Sequence, residues 1–183
     1  MFLREWRAED ALDLLQIYSS NADLERQMPR LRSLEDAERF ITQAYVPAVD
    51  RAAFCLDSGS GVQGCVLIDF TAKDDAGAWD RAWVSYWSVS ALRGTGVMKQ
   101  MVRAVCDWAL EEAKASVDSS IDCLVLEEKD SPRLRRLELG YRTNNPASGK
   151  VARYAGFVVE GLEREKFLYK GQTYDAVTAA RVK

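Results

Sequence analysis

Histidine is absent from all 183 residues. That absence excludes imidazole as a general base, and with it a Ser-His-Asp triad and any histidine-built zinc site. The four cysteines, Cys55, Cys65, Cys106 and Cys123, form no CxxC pair, and each lies in an apolar run. They read as buried thiols in a reducing compartment, and no metal is expected. No apolar run approaches the ~18 residues of a membrane span. The opening MFLREWRAED turns charged at once and does not read as a signal peptide, which makes a cytoplasmic location the expectation. Net charge is slight: 25 basic residues stand against 28 acidic ones. The densest basic stretch, Arg133, Arg135, Arg136 and Arg142, is interrupted by Glu138. It reads as a solvated face or as an entrance for an anionic ligand, and no nucleic-acid partner is expected. Neither a complete GxGxxG fingerprint nor a phosphate loop ending in GK[ST] occurs.

A hydrophobic fraction of 48% and five tryptophans suit one packed globular domain spanning 1–183. Phe2–Arg7 reads as a first strand and Glu9–Ser19 as a helix with Leu12, Leu15, Ile17 and Tyr18 on its apolar stripe. Asn21–Arg32 is polar, a loop or short helix. Ser33 is a helix cap with Asp36 in the capping-box position, and that helix ends at Pro47. Ala52–Leu56 and Val62–Phe70 form a hairpin about the turn Ser58–Gly61. Trp79–Val89 reads as a strand bulky on both sides, and so covered on both faces. From Val97 the period becomes helical and continues to about Ala115. Ile121–Leu126 is a possible strand inside a connection, residues 118–132, that reads as an insertion. Arg136–Thr143 is a strand, and Asn145–Ala155 a short helix with Pro146 at its first position and Gly156 just past its end. Phe157–Glu160, Glu165–Tyr169 and Thr173–Ala180 are strands. The order is mixed α/β, and hairpins late in the chain argue against a purely doubly wound sheet.

The sharpest local feature is LRGTGVM, Leu92–Met98. It follows a strand and opens a helix. Gly94 and Gly96 permit a tight turn and close backbone approach, and the helix start offers unpaired amides and positive dipole. Pyrophosphate is its natural occupant, with Arg93 as a neutralising cation, although such a turn alone is often only a turn.

Around it, WSVSALRGTGVMKQMVRAVCDWAL, Trp87–Leu110, resembles the acetyl-CoA-binding segment of the GNAT superfamily of N-acetyltransferases. Arg93, Gly96 and Met98 fall on the defined positions of that pattern, [Gln/Arg]-x-x-Gly-x-[Gly/Ala], and Met98 departs from it. Gly94 matches the RGxG form of the branch that acetylates ribosomal-protein amino termini. NPASGKVARYAGFVVEG, Asn145–Gly161, is similar to that branch's N-x-x-S…G-F-x-x-E-G signature, through Asn145, Ser148, Gly156, Phe157, Glu160 and Gly161. LREWRAEDA, Leu3–Ala11, resembles the family's first strand and helix start.

The resemblance implies a single-domain fold with a splayed, largely antiparallel sheet of roughly six or seven strands and about four helices. It implies acetyl transfer from acetyl-CoA to a primary amine of a small molecule or a peptide amino terminus, by direct attack without an acyl-enzyme. The backbone of Trp87, Ser88 and Val89 would meet the pantetheine arm, an amide near Val89 polarising the thioester carbonyl. The turn amides of Arg93, Gly94, Thr95, Gly96, Val97 and Met98 would hold the pyrophosphate. Asn145 would bond the pantetheine arm, or act as a helix cap. Ser148 would donate to the leaving thiolate, or merely complete that cap. Tyr154 would pack against cofactor or core. The carboxylates that relatives use as base are replaced by Trp83 and Phe167. Asp69, Asp80 and Glu165 are the remaining candidates, each otherwise a solvated strand-end charge. Trp83, Trp87 and Phe167 read as core or as walls of an apolar acceptor pocket. The alternative function is a non-catalytic acyl-CoA-binding or regulatory protein. A monomer or homodimer is expected.

Overall fold

A computed structural model describes residues 1–112 and 121–183. The strands β1 (Phe2–Glu5), β2 (Arg51–Asp57), β3 (Val62–Lys73), β4 (Trp79–Ser88), β5 (Arg136–Arg142), β6 (Val158–Tyr169) and β7 (Gln172–Val182) accompany the helices α1 (Ala11–Ser20), α2 (Leu34–Phe40), α3 (Val97–Ala109) and α4 (Pro146–Tyr154). The seven strands form one sheet in the order β1-β2-β3-β4-β5-β7-β6. Pairs β1–β2, β2–β3, β5–β7 and β6–β7 are antiparallel, and β4–β5 is parallel. This is the mixed α/β, largely antiparallel architecture expected.

The chain forms two compact units that alternate along the sequence. The first holds Met1–Asp69, Ser85–Met98 and, among the described residues, 121–130. Its core gathers Trp6, Leu14, Tyr18, Ile41, Tyr45, Cys65 and Trp87. Strand β2 is buried along nearly its whole length, as a strand covered on both faces should be. The Ser33 hydroxyl caps α2 by accepting the Asp36 amide at 3.2 Å. The Asp36 carboxylate turns to the Arg32 amide at 3.0 Å, one residue before the partner a capping box would use. After Phe40 the helix widens into a π-helical turn, Ile41–Tyr45, before Pro47. The possible strand at Ile121–Leu126 is instead a single bridge, Phe2↔Asp122, followed by a 3-10 turn at Leu124–Leu126. The Asp122 side chain accepts the Leu124 amide at 2.8 Å, a local bond that bends the chain out of the ladder. Residues 118–120 of the expected insertion lie outside the described residues.

The second unit holds Phe70–Val84, Ser131–Lys183 and the part of α3 from Lys99. Helix α3 buries Met101, Val102, Val105, Cys106 and Ala109. It ends at Ala109, earlier than expected, because Glu111 takes φ 53°. The Glu112 amide then bonds the Asp107 carbonyl at 2.9 Å and the Glu111 amide bonds that of Trp108 at 3.1 Å, closing a Schellman motif. Residues 113–115 of the longer expected helix lie outside the described residues. Helix α4 closes the same way at Gly156, whose amide reaches the Arg153 carbonyl at 3.1 Å while Phe157 reaches Ala152 at 3.0 Å. The two strands expected at Phe157–Glu160 and Glu165–Tyr169 are one strand, β6, with irregular register between Glu163 and Phe167. Lys170 and Gly171, at φ 48° and 77°, make the two-residue turn to β7.

The expectation that β4 is covered on both faces fails at Trp83. Ala82 and Val84 are buried, but Trp83 remains 37% exposed. Its register partner is Glu138, so both point to the face opposite buried Leu137.

Candidate active site

The glycine turn lies in the first unit. Strand β4 ends in a 3-10 turn, Ser90–Leu92, whose tightness is fixed by Leu92 and Arg93 amides donating to the Val89 and Ser90 carbonyls at 3.2 and 3.1 Å. Gly94 and Gly96 then take φ 81° and 86°, which side-chain-bearing residues adopt at a cost. Among the described residues, no atom beyond Gly94 and its chain neighbours lies within 4 Å of where a Gly94 Cβ would stand, so the turn is open on that side. The Thr95 hydroxyl donates to the Leu92 carbonyl at 2.8 Å and receives the Val97 amide at 3.4 Å. Helical geometry leaves the next amides of α3 without intrahelical acceptors. The first turn of α3 carries no acidic residue to offset the positive end of the helix. The arrangement fits a pyrophosphate.

Met98, the irregular residue of the pattern, is buried. Its side chain points inward, where a Cβ at Gly64 would come within 3.2 Å of Met98 Cε and 2.6 Å of the Trp87 carbonyl oxygen. Gly64 thus makes room for Met98, and the methionine is kept out of the turn. Sequence reasoning missed Gly64, although a glycine inside a strand signals such a close approach.

Two expectations near the turn are corrected. The Val89 amide donates to the Gln63 carbonyl at 2.9 Å, so it is not available to a thioester carbonyl. The Ser90 amide and hydroxyl both bond Asn21 Oδ1, at 3.3 and 2.8 Å. Arg93 is paired with Asp23 at 3.0 Å, so its charge is already shared. That pair is exposed and weak, and an entering phosphate can compete for it. Trp87 does not wall a pocket: its side chain is buried and its Nε1–H donates to Tyr45 Oη at 2.9 Å. Trp6 stacks on Tyr45 with ring centroids 4.6 Å apart, and burial pushes the Tyr45 phenol well above its usual range. Ser88 is half-buried behind it.

In the second unit, Asn145 Oδ1 accepts the Ser148 amide at 3.2 Å, the helix-cap role. Its Nδ2 donors are not needed for that bond. Ser148 is half-buried in the first turn of α4. Tyr154 is 44% exposed, not in the core, and the Lys99 ammonium stands 4.7 Å from its ring centroid. Lys99 is a second residue that sequence reasoning passed over. A cation in a helix's first turn opposes the dipole, which was the available signal.

The three candidate carboxylates differ. Asp80 is clamped by Arg135 through two bonds of 3.0 Å and by Arg81 at 3.4 Å, and the Arg135 bonds hold it below the usual carboxylate range. Glu165 sits exposed at φ 52° in the β6 irregularity, its amide donating to Asp175 at 2.9 Å. Asp69, half-buried at register with Arg51, is pushed upward by burial, since Arg51 turns its guanidinium to Asp50. Three cysteines are buried as expected and are no nucleophiles: burial raises Cys55 and Cys106 to about 12 and pushes Cys65 well above its usual range, whereas Cys123 is half-buried rather than buried. Among the described residues no group of three potential ligands could hold a metal, and no helix is long and apolar enough to cross a membrane.

Fold and turn together define a mixed α/β protein with an open glycine turn at the start of α3. Residues 1–158 match the model of the acetyltransferase (GNAT) domain, and the chain belongs to that family. The probable N-acetyltransferase YjcK of Bacillus subtilis (strain 168) is 26% identical over 188 residues, covering 93% of this chain and 87% of that protein. Among solved structures, the ribosomal-protein-S5-alanine acetyltransferase from Vibrio fischeri is similar at a TM-score of 0.72 and 18% identity, covering 98% of this chain and 91% of that one. The microcin C7 self-immunity acetyltransferase MccE, solved with acetyl-CoA and AMP, is similar at a TM-score of 0.71 and 19% identity, covering 99% and 91%. The ribosomal L7/L12 acetyltransferase RimL, solved with coenzyme A, gives 0.70 and 19%, covering 98% and 92%. At these identities the structures establish the fold.

Proposed function

We propose that the chain is an acetyl-CoA-dependent N-acyltransferase that acetylates a primary amine of a small molecule or a peptide amino terminus. The observation that carries this reading is the turn at Gly94–Met98, open at Gly94 and free of acid at the start of α3. The turn amides and Arg93 would hold the pyrophosphate, the Arg exchanging Asp23 for phosphate. The backbone of Trp87 and Ser88, fixed from behind by the Tyr45 hydrogen bond, would align the pantetheine arm with help from Asn145 Nδ2. The thioester supplies the activated acetyl group. Asp69 is the carboxylate best suited to take the amine's proton, because it is half-buried and no arginine clamps it. Ser148 would stand near the departing thiolate. Likeness to the ribosomal-protein branch supports a peptide terminus as one acceptor class. A cytoplasmic location is part of the same proposal, in keeping with the buried thiols of Cys55, Cys65 and Cys106.

The test is thiol release from acetyl-CoA across a broad amine panel, with coenzyme A affinity measured by calorimetry in parallel. Turnover is expected, and Gly96→Val should weaken coenzyme A at least about tenfold, since the new side chain strains the turn and crowds the phosphate. Unchanged affinity in that variant would remove the assigned site. Tight cofactor binding without turnover on any amine would leave a regulatory acyl-CoA-binding protein instead.

A further inference from the structure

The second unit presents an open sheet face with an unusual surface. Trp83 and Glu138 are register partners across β4 and β5, so they share this face. Gly140 follows on the same face, paired with Thr178 of β7, which is paired in turn with Gly161 of β6. A Cβ at Gly140 would meet Trp83 Cη2 at 3.1 Å and Cζ2 at 3.3 Å. The indole therefore lies along the sheet over Gly140, with its outer surface left to solvent. A Cβ at Gly161 would meet Thr178 Oγ1 at 3.1 Å, which confirms that the next two positions share the face. Beyond the indole the floor thus falls to two glycines and a threonine, Gly140, Gly161 and Thr178. Helix α4 occupies the other face, where Gly149 packs on Tyr141.

We propose that this shelf, bounded by Trp83, seats the body of the acceptor, and that the acceptor is a primary amine carried on an aromatic ring. The inference rests on the acetyltransferase reading and adds its substrate class. An exposed indole edge above a lowered floor fits a flat ring in offset contact better than a flexible alkyl chain. The rim is balanced in charge: Arg136 is shared between Glu138, at 2.7 Å, and Glu160, and Arg142 follows on the same face of β5. A single ammonium can be met by one of these carboxylates, whereas the two guanidiniums would repel the additional charges of a polyamine.

The experiment compares kcat/KM of the full chain, at saturating acetyl-CoA, for 2-phenylethylamine, butylamine, spermidine and an alanyl peptide. The aryl amine should be favoured over the others by about tenfold or more. Trp83→Ala should abolish that preference mainly through KM, and Trp83→Phe should restore part of it. Thr178→Phe, which fills the floor beside the indole, should abolish it too, while calorimetric affinity for coenzyme A stays unchanged in all three. No aryl preference in the parent chain, or a preference retained in Trp83→Ala and Thr178→Phe, overturns the proposal. Should no amine be acetylated, saturation-transfer NMR of 2-phenylethylamine on the coenzyme A-loaded protein decides. A signal lost in Trp83→Ala upholds the shelf while ending the transfer reading, and no signal in the parent chain overturns the shelf.

Discussion

Asp69 and Asp80 carry the same side chain in opposite settings. Two arginines hold Asp80 ionised and immobile, whereas Asp69 is half-buried, its register partner Arg51 having turned away to Asp50. Sequence placed both at strand ends and had no means of ranking them, since the ranking depends on where Arg51 and Arg135 point. Asp69 must be ionised to accept a proton, so activity should rise with pH through its folded pKa. Because that pKa is raised, the acidic limb of the kcat/KM profile should lie above the ordinary carboxylate range. Asp69→Asn should lower kcat by roughly a hundredfold and flatten that limb. The sign for stability is the reverse of the usual carboxylate case. The folded state holds this proton more tightly than the unfolded chain, so stability falls as pH rises from the unfolded pKa through the folded one. Asp69→Asn should therefore raise Tm at neutral pH, by about 2 °C, while activity falls. A scanning-calorimetry trace with lowered Tm would argue that Asp69 is structural.

At the scale of single elements, helix starts were legible and helix ends only partly so. Ser33 and Asn145 were readable as caps because the capping bond is local, spanning three residues. Gly156 was readable as a terminator for the same reason. Glu111 was not, because it adopts a left-handed conformation that its residue type disfavours, and α3 therefore stops short of the expected Ala115. Substitutions at α4's start separate its two roles. Asn145→Asp keeps the oxygen acceptor and loses the amide donors, so it should leave Tm nearly unchanged and weaken acetyl-CoA several-fold. Asn145→Ala should in addition cost about 1 kcal/mol of stability. Equal coenzyme A affinity in all three proteins, measured by calorimetry, would reduce Asn145 to a cap. Ser148→Ala in the same series should lower kcat more than cofactor affinity.

Across the second unit, closure depends on a buried charge network that no local pattern announced. Arg181, near the end of β7, donates to the Ala155 carbonyl behind α4 at 2.8 Å and to Asp107 and Glu112 at the end of α3. Asp107 is fully buried and also receives Arg103 at 2.8 Å. Removing one partner leaves the others buried without compensation. Asp107→Ala should destabilise by about 3–5 kcal/mol, lowering Tm by roughly 10 °C. The double substitution Asp107→Leu with Arg181→Met should recover much of that loss, because an apolar pair of similar volume avoids desolvating two charges. Thermal unfolding of the two variants checks both statements.

Sequence alone determined the alternation of strands and helices, the glycine turn and the two signatures that identify the family. Each of these rests on short-range spacing, which the chain carries whatever its fold. Sequence also set firm exclusions, since a protein without histidine cannot use one. Only tertiary structure decided which groups are already engaged: the Val89 amide by Gln63, Arg93 by Asp23, Trp87 by Tyr45 and Asp80 by Arg135. It likewise decided that Trp83 lies open over Gly140 while Trp87 is buried. The physical reason is that hydrogen bonds and burial at these positions depend on partners far along the chain, whose approach is set by packing and strand register.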